Sequence, residues 1–143
     1  MAIVKSATAQ YQGLGKSGKG SVSTQSGVLN EQPYGFNTRF EDQKGTNPEE
    51  LLAASHASCF TMALAFMLEA EGHTEGKLQT SADITLEKEG EDFKIAKSEL
   101  RLMAKVPNID KATFEEIANK AKEGCPISKL MNAPITLKTE FSS

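Results

Sequence analysis

The sequence predicts an α+β fold built on antiparallel sheets, and three observations carry that prediction. Segments that alternate apolar and polar residues cluster near the N-terminus and again from Leu78 onward, instead of interleaving one by one with helices. A single long segment of helical character, Asn47 to Glu71, separates the two clusters. Gly, Pro, Asn and Asp punctuate the junctions, giving the order β-β-β-α-β-β-α-α-β. The length of 143 residues fits one compact domain, residues 1–143.

Ile3 to Tyr11 reads as the first strand, followed by a Gly- and Lys-rich turn from Gly13 to Gly20 and a second strand from Ser21 to Val28. Tyr34 to Phe40 alternates strictly, with Tyr34, Phe36, Thr38 and Phe40 on one face, so Arg39 is expected on the opposite face of a third strand. The long helix has well-marked ends. Asn47 is an N-cap, Pro48 sits where a missing N–H costs nothing, and Glu50 completes an Asn-x-x-Glu capping box. Gly72 supplies the left-handed residue just past the last turn. Between these ends, Ala53 to Cys59 is small all round, which requires a very close neighbour.

Beyond the helix, Leu78, Thr80, Ala82, Ile84 and Leu86 alternate with polar residues, and Glu89 to Asp92 makes a turn. The returning strand, Phe93 to Val106, changes the parity of its apolar residues between Ile95 and Leu100, so a bulge is expected near Ala96 to Ser98. Asp110 or Thr113 opens a helix carrying Phe114, Ile117, Ala118 and Ala121 that Gly124 closes. Pro126 begins a short helical segment, and Ile135, Leu137, Thr139 and Phe141 share one face of a last strand.

Composition narrows the function. A formal charge of −3 with two arginines among sixteen basic residues leaves no basic stripe for a nucleic-acid backbone. No apolar run is read as long enough to span a membrane, and Met1 to Ala9 lacks the apolar centre of a secretory signal, so a cytoplasmic location is expected. In a reducing compartment two distant cysteines make a poor permanent staple, and no Cys-x-x-Cys pair suggests zinc. Their chemistry, if they have any, is redox chemistry.

Cys59 in mid-helix reads equally well as a small buried hydrophobe or as a reactive thiol. Cys125 is placed to cap the Pro126 helix, where free N–H groups favour the thiolate, so position alone nominates it as the more reactive sulfur. Arg39 and Glu49 flank one loop, and an ion pair at the surface is the plainest reading of both. His56 precedes Cys59 by three residues, but no carboxylate stands out to orient it in a Cys-His dyad.

Three motifs together, N-P-E-E-L at Asn47 to Leu51, A-S-C-F at Ala57 to Phe60 and G-C-P-I-S at Gly124 to Ser128, resemble the OsmC/Ohr family of bacterial thiol peroxidases. The likeness runs over essentially the whole chain, and the stretch from Lys19 to Glu41 favours the OsmC branch. The resemblance implies an OsmC-like fold with sheets wrapped around central helices in an intertwined homodimer. It implies a peroxidase of oxidative and osmotic stress defence that reduces organic hydroperoxides, and hydrogen peroxide more slowly. Cys59 would be the peroxidatic residue, Cys125 the resolving one, Arg39 the cation that stabilises the thiolate, and Glu49 the residue that positions Arg39. No metal or bound cofactor is implied, only an external dithiol reductant of lipoyl or thioredoxin-like type. No arginine precedes Arg39, unlike in the Ohr branch, and Ser55 and Ser58 stand where the family often has alanine. A non-catalytic dimer that binds a small apolar ligand, with inert cysteines, is the competing reading.

Helix geometry adds a constraint. Glu49 and Cys59 are ten residues apart, about 15 Å along one straight helix. They cannot share a site within one chain, so the glutamate is expected to come from a second chain whose helix crosses antiparallel near Ala54.

Overall fold

The computed structural model describes all residues, Met1–Ser143. The chain divides into two compact units, Met1–Leu51 and Leu52–Ser143.

In the first unit, β1 (Ala7–Gln12), β2 (Lys19–Thr24) and β3 (Gln32–Tyr34) form an antiparallel sheet in that order, with Ala7 opposite Thr24 and Gly20 opposite Tyr34. A Cβ on Gly20 would lie 2.6 Å from the Tyr34 ring, so the close approach of β3 depends on that glycine. All of β1 is exposed, and no residue between Met1 and Leu51 is buried.

The expected third strand does not continue to Phe40. It ends at Tyr34, and Phe36–Phe40 forms the short helix α1. Thr38 Oγ1 accepts from the Gly35 N–H at 2.8 Å and donates back to the Gly35 carbonyl at 3.1 Å, which holds the helical turn. Phe36 and Phe40 are four residues apart, a spacing that satisfies both a strand and a helix, and their rings pack at 5.1 Å. Arg39 is therefore presented by a helix.

Helix α2 (Pro48–Ala70) follows the sequence reading closely. The Glu50 N–H donates to Asn47 Oδ1 at 2.8 Å, while the Glu50 carboxylate accepts from the Thr46 hydroxyl at 2.8 Å instead of closing the box on Asn47. At the far end Gly72 has φ 91°, and the His73 N–H reaches back to the Leu68 carbonyl at 2.9 Å. His56, Phe60, Leu64 and Leu68 form a buried stripe of period four. On the other side Ala54, Ser58, Met62 and Phe66 form an exposed one. One expectation is corrected here: at 23 residues α2 is long and apolar enough to cross a membrane by length and composition. Ser55, His56 and Ser58 interrupt its apolar residues, so no unbroken apolar run marks it in the sequence.

In the second unit, β4 (Lys77–Glu89) and β5 (Asp92–Lys105) make a long antiparallel hairpin. The register slips once, pairing Thr85 with Lys97 and Leu86 with Ile95, so Ala96 is the bulged residue the parity change called for. Asp110 caps α3 (Lys111–Gly124) by accepting from the Thr113 N–H at 2.7 Å. Cys125 then links α3 to α4 (Pro126–Leu130).

The last strand, β6 (Ile135–Ser142), pairs with β5 in parallel, so the sheet β4-β5-β6 is mixed and not wholly antiparallel. Parallel pairing needs a crossover, and α3 with α4 supplies it. Leu100, Leu102 and Ala104 of β5 meet Phe60, Leu64 and Leu68 of α2 and Phe114, Ala118 and Ala121 of α3 in one core. Phe114 stacks on Phe141 of β6 at 4.6 Å.

Candidate active site: two thiols and an arginine–glutamate pair

Cys59 lies on α2 one position before the buried stripe, and it is partly exposed. Cys125 is fully buried at the α3–α4 junction, and neither cysteine is in a disulfide. The two thiols are near neighbours, Cys125 pushing the Cys59 pKa up and Cys59 pulling that of Cys125 down. The second unit thus brings together two cysteines that are far apart in sequence.

Their electrostatics differ. Burial raises the Cys59 pKa; the Ile127 N–H pulls it down, the neighbouring Cys125 pushes it up again, and the net direction is upward. Burial raises Cys125 too, but the Ser128 hydroxyl, the Ser128 N–H, the Cys59 thiol and the Ile127 N–H together outweigh it and bring the net direction down. Cys125 Sγ lies 3.4 Å from the Ser128 nitrogen and 3.3 Å from its hydroxyl. The helix-cap geometry expected of Cys125 is present, and within a single chain Cys125 is the better thiolate.

In the first unit, Arg39 Nε donates to Glu49 Oε1 at 2.6 Å, and its guanidinium carbon lies 5.3 Å from the centre of the Phe40 ring. The Glu49 side chain is 12% exposed and that of Arg39 34%. This pair closes inside one chain, where the sequence reading expected the glutamate to reach Arg39 from a second subunit. Placing Arg39 on a helix and Glu49 in the first turn of α2 is what allows it. Beside the pair is a pocket of about 330 Å³ lined by Tyr11, Tyr34, Phe36, Phe40 and Pro48, with Arg39 on its wall.

His56 turns away from the role weighed for it beside Cys59. It is fully buried, with Nδ1 2.7 Å from Ser98 Oγ and Nε2 2.8 Å from Ser128 Oγ. Burial lowers its pKa, which favours the neutral ring. Ser98 was not singled out from sequence, and Ser128 entered only as a letter of a motif. A small polar residue within an apolar strand was the available signal for Ser98. No group of three or more His, Cys, Asp or Glu side chains gathers in a way that could hold a metal ion.

Comparison with known proteins decides the family. The profile described as OsmC-like protein matches residues 41–140. The chain belongs to the OsmC-like family. It is 52% identical over 143 residues, all of both chains, to the peroxiredoxin OsmC of Escherichia coli strain K12. It is 32% identical over 124 residues, 85% of this chain and 88% of the other, to the organic hydroperoxide resistance protein OhrB of Bacillus subtilis strain 168. The crystal structure of that Bacillus OhrB superposes with a TM-score of 0.66 at 27% identity, covering 96% of this chain and 98% of that one. Higher identity and full coverage with the OsmC-named relative bear out the branch read from Lys19 to Glu41. This OsmC-like chain has the α+β fold the motifs implied, with β5 and β6 paired in parallel where antiparallel sheets were expected.

Proposed function

We propose that this chain is a thiol peroxidase that reduces organic hydroperoxides to alcohols and water, and hydrogen peroxide more slowly, in defence against oxidative and osmotic stress. The observation that carries the reading is the pair of free, neighbouring thiols, Cys59 and Cys125, in a chain whose full-length relative is named a peroxiredoxin. Cys59 attacks the distal peroxide oxygen as a thiolate, the O–O bond breaks, and the alkoxide leaves as alcohol. Cys59 becomes a sulfenic acid. Cys125 then attacks the Cys59 sulfur, water leaves, and the disulfide is reopened by an external dithiol of lipoyl or thioredoxin-like type.

Cys59 must be lowered in pKa for the first step, and Arg39, aligned by Glu49, is the cation assigned to it. Since α2 separates Glu49 from Cys59 by about 15 Å, the Arg39–Glu49 pair serves the Cys59 of a second chain. Two observations support a homodimer with two such sites and residues 1–143 acting as one domain. No residue from Met1 to Leu51 is buried in the single chain, and Met62 and Phe66 stand 58% and 66% exposed on α2. A unit without one fully buried residue has little core of its own to hold its shape. Covering α2 with its own copy also answers its membrane-like composition and fits a cytoplasmic protein. The aromatic pocket beside Arg39 suits an alkyl chain and offers hydrogen peroxide little.

Dithiol-dependent loss of cumene hydroperoxide tests the reading. Wild type is expected to turn over and Cys59→Ser to lose that activity. Equal rates in the two would favour a non-catalytic dimer that binds an apolar ligand.

A further inference from the structure

Four side chains from three elements line up in the core of the second unit. Ser98 of β5 touches His56 of α2, His56 touches Ser128 of α4, and Ser128 touches the sulfur of Cys125, at 2.7, 2.8 and 3.3 Å in turn. His56, Ser98 and Cys125 are fully buried and Ser128 is nearly so. Every buried side-chain nitrogen and oxygen in the chain has a partner, so this path is complete from end to end.

We propose that Ser98, His56 and Ser128 form a buried proton relay for Cys125, in which His56 is a positioning residue that takes the thiol proton through Ser128 as Cys125 attacks oxidised Cys59. This rests on the assignment of Cys125 as the resolving cysteine.

The chemistry of each group fits its place. A neutral imidazole has one donor and one acceptor nitrogen, and a hydroxyl can donate and accept at once. With Nδ1–H directed at Ser98, Nε2 accepts from the Ser128 hydroxyl, and Ser128 Oγ accepts from the Cys125 S–H. When Cys125 attacks, its proton moves to Ser128 Oγ while the Ser128 proton moves to Nε2. The Cys125 lone pair forms the S–S bond, the S–O bond of the Cys59 sulfenic acid breaks, and hydroxide leaves. The departing hydroxide takes the proton held at Nε2 back through Ser128 and leaves as water, so His56 returns to neutral and the proton Cys125 gave is accounted for. Cys125 is oxidised and the sulfenic sulfur reduced by equal amounts. In the reverse sense, Ser128 and His56 reprotonate Cys125 when a dithiol opens the disulfide.

The groups that face this path are few. Cys125 meets Cys59 from α2 and Ser128 and the Ile127 N–H from α4, while burial alone shifts His56 and no charged side chain does. Ser98 therefore stands where a carboxylate orients the histidine in a charged triad. A neutral orienter suits a base that must carry its proton only briefly.

His56→Asn, Ser128→Ala and Ser128→Thr separate relay from scaffold. Reduced protein is mixed with one equivalent of cumene hydroperoxide over a pH series, sulfenic acid is trapped with dimedone and weighed by mass spectrometry, and disulfide closure is timed. In His56→Asn and Ser128→Ala, closure is expected to slow at least about tenfold, with its rise moved to higher pH and trapped sulfenic acid increased. Ser128→Thr, which keeps the hydroxyl, is expected to restore the rate and the profile. Closure with wild-type rate and pH profile in Ser128→Ala or in His56→Asn overturns the relay, and since Ser128 also touches Cys125 directly, His56→Gln takes the place of His56→Asn should that variant not fold. If wild type itself loses no thiols to peroxide, the peroxidase reading fails and the relay with it, a result distinct from unchanged closure in the variants alone.

Discussion

Arg39 and Glu49 are bonded to each other inside one chain, Nε to Oε1 at 2.6 Å, although one sits on α1 and the other in the first turn of α2. A cation and its holder therefore travel as a preassembled unit. The guanidinium is fixed on both sides, by the carboxylate and by the Phe40 ring. A fixed cation stabilises a thiolate without reorganising as the charge forms.

Glu49→Gln keeps the shape and removes the charge that aligns Arg39. If the cation is worth about one pKa unit to Cys59, the rate of sulfenic acid formation at neutral pH falls about tenfold. Stopped-flow oxidation by cumene hydroperoxide measures this, and the loss should shrink at high pH, where Cys59 ionises unaided.

Ala54→Leu enlarges the exposed small stripe of α2 where two copies are expected to cross. Weaker dimerisation and lower activity should appear together, read by sedimentation and peroxidase assay over the same dilution series. A dimer of unchanged affinity would defeat the crossing geometry.

Burial depresses the pKa of His56 below its ordinary value of 6.5. The unfolded chain then binds this proton at a higher pH than the folded chain does. The corresponding stability is fully present above pH 6.5 and is lost as pH falls through the lower folded value. His56→Gln removes that titration, so the drop in Tm between neutral pH and about pH 5 should be smaller than in wild type.

Most of the fold was legible because its signals are local. Asn47, Pro48 and Gly72 delimit α2 by their own chemistry, and the parity change between Ile95 and Leu100 announced the bulge at Ala96. What escaped depends on tertiary context or on ambiguous periods. Phe36 and Phe40 fit either a strand or a helix, and the segment turns where the Thr38 hydroxyl bonds back to Gly35. The parallel pairing of β6 is set by where α3 and α4 deliver the chain. Both cysteines, Arg39 and Glu49 are marked as candidates by motifs local to each. The partners of His56 are not, since Ser98 and Ser128 lie 42 and 72 residues away from it.

Cys125→Ser should leave Cys59 able to reach the sulfenic acid but not the disulfide. Dimedone adducts are expected on Cys59 after one equivalent of peroxide, and sulfinic acid after excess peroxide, seen as mass increments on the intact chain.

The most direct test is a free-thiol count on the wild-type chain after one equivalent of an alkyl hydroperoxide, followed by peptide mapping. Loss of both thiols of each chain, with Cys59 joined to Cys125, is the expected result. Retention of both thiols, or oxidation that begins at Cys125 and spares Cys59, would contradict the account.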